Sequence, residues 1–125
     1  MTGGMDSGNA REPALDPEDL ARFLVSRANA GDVEGLVTLY EPDAVLAGAE
    51  GRVIVGTEAI RGFYAELLAD RPRFEPGEQS PALRCGVLVL TSSRLTNGTV
   101  TAEIARRQPD GTWLWAVDQP AIAQQ

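Results

Sequence analysis

Histidine is absent from this chain. That gap removes the usual general base at neutral pH, every serine–histidine or cysteine–histidine nucleophile pair, and the commonest ligand of transition metals. Cysteine is nearly absent too. Cys85 alone cannot close an intramolecular disulfide or build a thiolate metal site, and its default place in a strand is the core. No metal and no cofactor are expected, so acid–base chemistry falls to carboxylates, tyrosines or arginine. Positive charge is scarce: 11 basic against 18 acidic residues give a net charge of −7 and a pI near 4.5. Nucleic acid and anionic lipid are therefore poor partners, because both are gripped through phosphate-neutralising basic residues. Arg106 and Arg107 are the one adjacent basic pair, and neighbours in a strand point to opposite faces. Long apolar runs are missing as well. Residues 1–15 are Gly-rich and polar, with no signal-peptide core or membrane span, and read as a disordered tail of a cytoplasmic protein with no membrane partner.

What remains is enough for one domain, residues 16–125, able to bury roughly two thirds of the surface its unfolded chain exposes. Asp16-Pro17-Glu18-Asp19 opens a helix with the stripe Leu20, Phe23, Leu24, Ala28, ended by Gly31. Asp32 caps a second helix with Val33, Leu36, Val37 and Tyr40 on its stripe, and Pro42 ends it. Two short apolar segments, 44–47 and 52–55, flank Gly48-Ala49-Glu50-Gly51 as a hairpin or an irregular arm. Thr57 caps a third helix with Ile60, Phe63, Tyr64, Leu67 and Leu68. A run of strands follows: Leu83 to Arg94, in which Val87-Leu88-Val89-Leu90 reads as central and buried on both faces, then Gly98 to Arg107 and Thr112 to Ile122. The tight Gln108-Pro109-Asp110-Gly111 turn joins the last two. Three apolar helix stripes need a surface, and a curved sheet built from these strands supplies it, making a cone with a pocket inside.

Ala30-Gly31-Asp32 between two helices, Leu39-Tyr40-Glu41-Pro42-Asp43-Ala44, Gly56-Thr57-Glu58-Ala59-Ile60 with Phe63-Tyr64, and Arg107-Gln108-Pro109-Asp110-Gly111-Thr112-Trp113 form a set. From about Asp16 to the end, the chain resembles the nuclear transport factor 2-like superfamily, and within it the SnoaL-like and ketosteroid isomerase-like proteins. The resemblance implies an α+β, cystatin-like cone with three N-terminal helices packed on a curved, mostly antiparallel sheet. It implies no single function, because that superfamily holds steroid isomerases, polyketide cyclases, dehydratases, epoxide hydrolases and many binding or dimerisation modules. A ketosteroid isomerase needs an Asp base and an oxyanion hole of a Tyr and a protonated Asp. By the resemblance those positions fall on Gly48, Leu24 and Glu103, so only a longer carboxylate survives and that mechanism is not supported.

Alternation from Glu103 places Thr101 and Ala105 on its face, and the resemblance adds Leu114, Ala116 and Asp118. Glu103 and Asp118 then become neighbouring acids in an apolar pocket, where both cannot ionise cheaply. They are the candidate acid and base. The candidate pocket lining is Phe23 and Leu24 on the inner wall, Tyr40, Phe63, Ala116, and Tyr64 at the mouth. The plainer alternative pairs Glu103 with Arg84, Arg94 or Arg106, while Asp118 accepts from Tyr40 or Tyr64. In this phase Ala102, Ile104, Trp113, Trp115 and Val117 face outward as a self-association surface. A bulged turn at Pro109-Asp110-Gly111 would shift the last strand by one and send Trp113, Trp115 and Val117 inward instead. Two functions are expected from these residues. The first is a homodimeric binding module for a small hydrophobic molecule; the alternative is a cyclase- or isomerase-type enzyme using Glu103 and Asp118.

Overall fold

The computed structural model describes residues 11–123. Its three α-helices are α1 (Asp19–Asn29), α2 (Val33–Val37) and α3 (Thr57–Leu67). The strands are β1 (Tyr40–Ala47), β2 (Val53–Val55), β3 (Glu78–Gln79), β4 (Leu83–Cys85), β5 (Leu88–Thr91), β6 (Ser93–Arg94), β7 (Val100–Arg107) and β8 (Trp113–Ala123). They form one sheet in the order β2-β1-β8-β7-β5-β4, with β6 also on β7 and β3 on β6. All pairs are antiparallel except β1 with β8. The expected α+β layering of three helices on a mostly antiparallel, curved sheet is the architecture found.

The helices are shorter than their sequence stripes. Asp16 does not cap α1. The helix starts at Asp19, whose carboxylate accepts the Asp16 N–H at 3.1 Å, and Gly31, with φ +70°, ends the turn after it. Asp32 does cap α2, accepting from Gly35 N at 3.0 Å, while its carboxylate also holds Arg11 at 2.7 Å. That helix stops at Val37, so Tyr40 is the first residue of β1 rather than the end of a helical stripe, and Pro42 lies inside the strand. Pro42 is accommodated where the β1 register against β8 slips, between Tyr40 and Val45, since a proline cannot donate to a ladder. Residues 44–47 and 53–55 do form a hairpin. Gly56, not Thr57, is the cap residue of α3.

The stretch expected as one strand from Leu83 to Arg94 is broken. Gly86, at φ +61°, turns β4 back on β5, pairing Leu83 with Leu90 and Cys85 with Leu88. Val87 to Leu90 is therefore half-buried: Val89 is enclosed while Leu88 and Leu90 are exposed, and Cys85 is exposed rather than core. Leu20, Leu36, Leu46, Ile60 and Val89 are among the largest fully enclosed side chains of the core. Part of the expected tail is also packed: Ala14 is buried and its carbonyl accepts from Trp113 N at 3.0 Å. The expectation of disorder for residues 1–10 lies outside the described residues. Among the described residues no helix is long and apolar enough to cross a membrane.

The last strand carries the decisive irregularity. Ala105 pairs with Trp115 but Ile104 pairs with Val117, leaving Ala116 as an extra residue. A bulge of this kind reverses the side-chain alternation beyond it. Trp113 and Trp115 therefore point inward, 7% and 2% exposed, and so does Asp118 at 5%. Neither single phase expected for this strand describes it. The first holds after the bulge and the second before it.

Candidate functional site

A cavity of about 600 Å³ opens between the helices and the sheet. α1 lends Ala21, Leu24 and Val25, and α3 lends Phe63, Tyr64 and Leu67. Residues 74–77 close one side, held by a reciprocal pair of bonds: Asn29 Nδ2 donates to Phe74 O at 2.9 Å and Phe74 N donates to Asn29 Oδ1 at 2.8 Å. The sheet supplies the polar part, Ser93, Thr101, Glu103, Trp115 and Asp118.

Glu103 and Asp118 are directly paired residues of β7 and β8, on the same face, 7% and 5% exposed. Neither meets an arginine. Thr91 Oγ1 donates to Glu103 Oε1 at 2.7 Å, and Tyr40 Oη donates to Asp118 Oδ2 at 2.6 Å. Tyr40 Oη also lies 2.6 Å from Tyr64 Oη. A phenol has one proton, and Tyr40 gives its proton to Asp118, so Tyr64 is the donor to Tyr40. The chain of bonds thus runs Tyr64 to Tyr40 to Asp118, with aromatic packing around it: Tyr40 and Trp115 centroids are 5.3 Å apart, Phe63 and Tyr64 5.1 Å.

Burial dominates the acid–base properties of this cluster. It pushes the Asp118 carboxyl up to about 7, against the pull of the Tyr40 hydrogen bond, and the charge of Glu103 pushes the same way. Glu103 is raised by burial as well, with the Thr101 and Thr91 hydroxyls opposing. Both phenols are raised by burial and by the Asp118 charge, and stay protonated throughout the physiological range. Near neutral pH the site therefore holds one proton that Asp118 can give or take. The Trp115 indole N–H, enclosed beside the cluster, is left without an acceptor.

The structure brings together Glu103, Asp118, Leu24, Phe63 and Tyr64 at the cavity, and Tyr40 immediately behind it. It does not bring in Phe23, which is buried elsewhere in the core with the Arg22 and Arg27 guanidiniums 4.7 and 4.9 Å from its ring. Ala116 is displaced by its own bulge and does not line the cavity. Tyr64 is not at the mouth: it is buried, bonded to Tyr40, and lines the cavity together with Phe63. The arginine pairing considered for Glu103 is absent, whereas acceptance from Tyr40 by Asp118 is present. Thr91 and Phe74 were not legible as site residues, and Trp115 was expected at the cavity only in the shifted phase of the last strand. Thr91 sits on a strand whose phase depends on the Gly86 turn, Trp115 on the wrong side of the bulge, and Phe74 in a loop without periodicity.

The SnoaL-like domain profile matches residues 20–124. The chain belongs to the SnoaL-like domain family. Its fold is that of nuclear transport factor 2-like proteins, as the structural neighbours of this SnoaL-like domain show. One is a candidate calcium/calmodulin-dependent protein kinase type II association domain from Thiobacillus denitrificans, TM-score 0.70 at 16% identity, covering 86% of this chain and 96% of that one. A candidate dehydratase of the nuclear transport factor 2-like family from Streptomyces avermitilis gives 0.65 at 16%, covering 85% and 95%. A ketosteroid isomerase-like protein from Erwinia carotovora atroseptica gives 0.61 at 18%, covering 81% and 88%. At these identities the SnoaL-like domain shares their fold alone. Among curated proteins, none matches it.

Proposed function

We propose that this SnoaL-like domain is a homodimeric binding module for a small hydrophobic molecule. The cavity carries the reading: about 600 Å³, walled by aliphatic and aromatic side chains with a few convergent polar groups, is the size and character of a small-molecule site. The positions that would make it a ketosteroid isomerase argue for binding without that chemistry. Leu24 lines the cavity but has nothing to donate, and Gly48 is in the β1–β2 connection, its N–H bonded to Arg52 O at 2.9 Å, and does not line the cavity. A neutral fluorescent probe, N-phenyl-1-naphthylamine, tests the reading. It is expected to bind with enhanced emission, and Leu24→Trp, which fills the chamber from α1, is expected to abolish the enhancement. Undiminished binding by that variant would place the probe elsewhere and overturn the proposal.

A second reading, acid–base catalysis on a cyclic polyketide-like substrate with Glu103 and Asp118 as the reacting groups, is favoured by one observation. Asp118 holds its proton up to about 7, where a general acid or base is most effective. Titration of Asp118 in the ordinary carboxylate range would remove this reading.

The dimer is proposed through the outer face of the sheet, but not through Trp113 and Trp115, which are inside. Successive registered pairs place Val55, Val45, Val117, Ile104, Leu90 and Leu83 in one aliphatic row across six strands. All but the half-buried Ile104 are exposed, with Leu83 at 68%. A contiguous apolar row on an uncovered sheet face fits a self-complementary two-fold contact.

A further inference from the structure

Resting on the reading of the cavity as a ligand site, we propose that its ligand is a lipophilic amine, with an apolar body in the chamber and one ammonium against Asp118 and Glu103. Proton counting at the cluster leads there. Tyr40 gives its proton to Asp118 Oδ2, Tyr64 gives its proton to Tyr40, and Thr91 gives its proton to Glu103 Oε1. The hydroxyls bonded to the two acids and to Tyr40 are thus spent on protein acceptors, and the Trp115 indole N–H is a donor left over at the cavity. Asp118 Oδ1 has no donor among the described residues, although Asp118 is 5% exposed and lines the cavity. With Asp118 ionised, the polar end of the chamber offers acceptors to a ligand. Two carboxyls against one neutral indole N–H suit a ligand that donates and carries positive charge.

Charge narrows the class further. Among the described residues Arg22 is the one basic side chain along the cavity, and it is exposed at the rim and paired with Asp19 at 3.1 Å. Among the described residues no cation therefore meets the acids inside the protein, and a further anion would be repelled from a poorly solvated site. An ammonium relieves both carboxylates at once. The rings of Phe63, Tyr64 and Trp115 line the same cavity, and aromatic rings add attraction for a cation. The net charge of −7 draws cations toward the molecule at long range.

The groups that face Asp118 set the pH dependence: Glu103 from β7, Tyr40 from β1 and Tyr64 from α3, with Arg22 and Glu75 exposed at the rim. When Asp118 takes up a proton, it can donate to Tyr40, Tyr40 to Tyr64, and Tyr64 into the chamber. The relay then favours an acceptor such as a ketone. Amine and ketone affinities should move in opposite directions with pH, which a merely structural role for Asp118 would not produce.

The test uses four probes with one naphthalene body, titrated calorimetrically into the full chain at pH 5.5 and 8: 2-(aminomethyl)naphthalene, 2-acetylnaphthalene, 2-naphthylacetate and 2-methylnaphthalene. At pH 8 the amine is expected to bind at least about tenfold more tightly than the hydrocarbon, the order of one buried charge-assisted contact. The anion should bind weakest, and lowering the pH to 5.5 should weaken the amine while strengthening the ketone. Asp118→Asn should remove the amine's advantage and Glu103→Gln should reduce it, in variants whose circular dichroism shows them folded. Asp43→Asn, which deletes the same charge from an exposed position away from the cavity, should leave the advantage intact. If ketone or hydrocarbon equals the amine at pH 8, or if Asp43→Asn erases the advantage as fully as Asp118→Asn, the amine proposal falls while the pocket reading stands. If none of the four binds, both fall.

Discussion

Asp118 is where sequence, burial and chemistry meet most closely. Its folded-state carboxyl is raised from 3.8 to about 7. A raised carboxyl binds its proton more tightly folded than unfolded. The stability it lends is complete below about 4 and is lost as pH rises through about 7, a change on the order of 4 kcal/mol. Glu103, raised for the same reason, adds in the same direction. Asp118→Asn keeps an oxygen for the Tyr40 hydroxyl and removes the ionisation. The variant is therefore expected to melt higher than the wild type at pH 8, with the difference shrinking toward zero or reversing at pH 5. A constant difference across that range would show that Asp118 ionises without cost. The two acids were legible in the sequence because strand alternation and the turn after Arg107 constrain them. Their hydrogen-bond partner was only half legible. Tyr40 was named as a partner, but as part of a helix, and the helix signal was misleading because Pro42 sits in a strand.

At the scale of elements, β8 shows what a sequence pattern can and cannot carry. The alternation Trp113, Trp115, Val117 is uniform in the sequence, yet the protein puts the first two inside and the third outside. The cause is the extra residue at Ala116, and no side chain announces it, since alanine fits either face. The same difficulty affects β4 and β5, where a long apolar run hides a reversal at Gly86. Helices α1 and α3 were more legible, because the positions that face the core recur at three and four residues. The bulge has a consequence for association. By taking both tryptophans inward it leaves an aliphatic outer row with Ile104 near its middle. Ile104→Glu is expected to convert a dimer to a monomer in sedimentation at micromolar concentration, with circular dichroism unchanged. A wild-type protein that already sediments as a monomer would contradict the proposed contact.

At the scale of the molecule, the cone and its layers follow from three apolar stripes that need one sheet. The chamber arises because helices laid across a curved sheet leave space that their side chains do not fill. Its walls come from segments far apart in the chain, α1, α3, the 74–77 loop and β6 to β8, and this is why the cavity's existence was readable while its loop wall was not. Its content rests on a single physical claim, that an apolar chamber in an acidic protein encloses two unneutralised carboxyls, one of which exchanges its proton near neutrality. Carbon-detected NMR titration of the Asp118 side-chain carboxyl, in the wild type and in Glu103→Gln, tests this most directly. A midpoint near 7 is expected in the wild type and a lower one once the Glu103 charge is gone. A wild-type midpoint close to the ordinary 3.8, unmoved by Glu103→Gln, would contradict that claim.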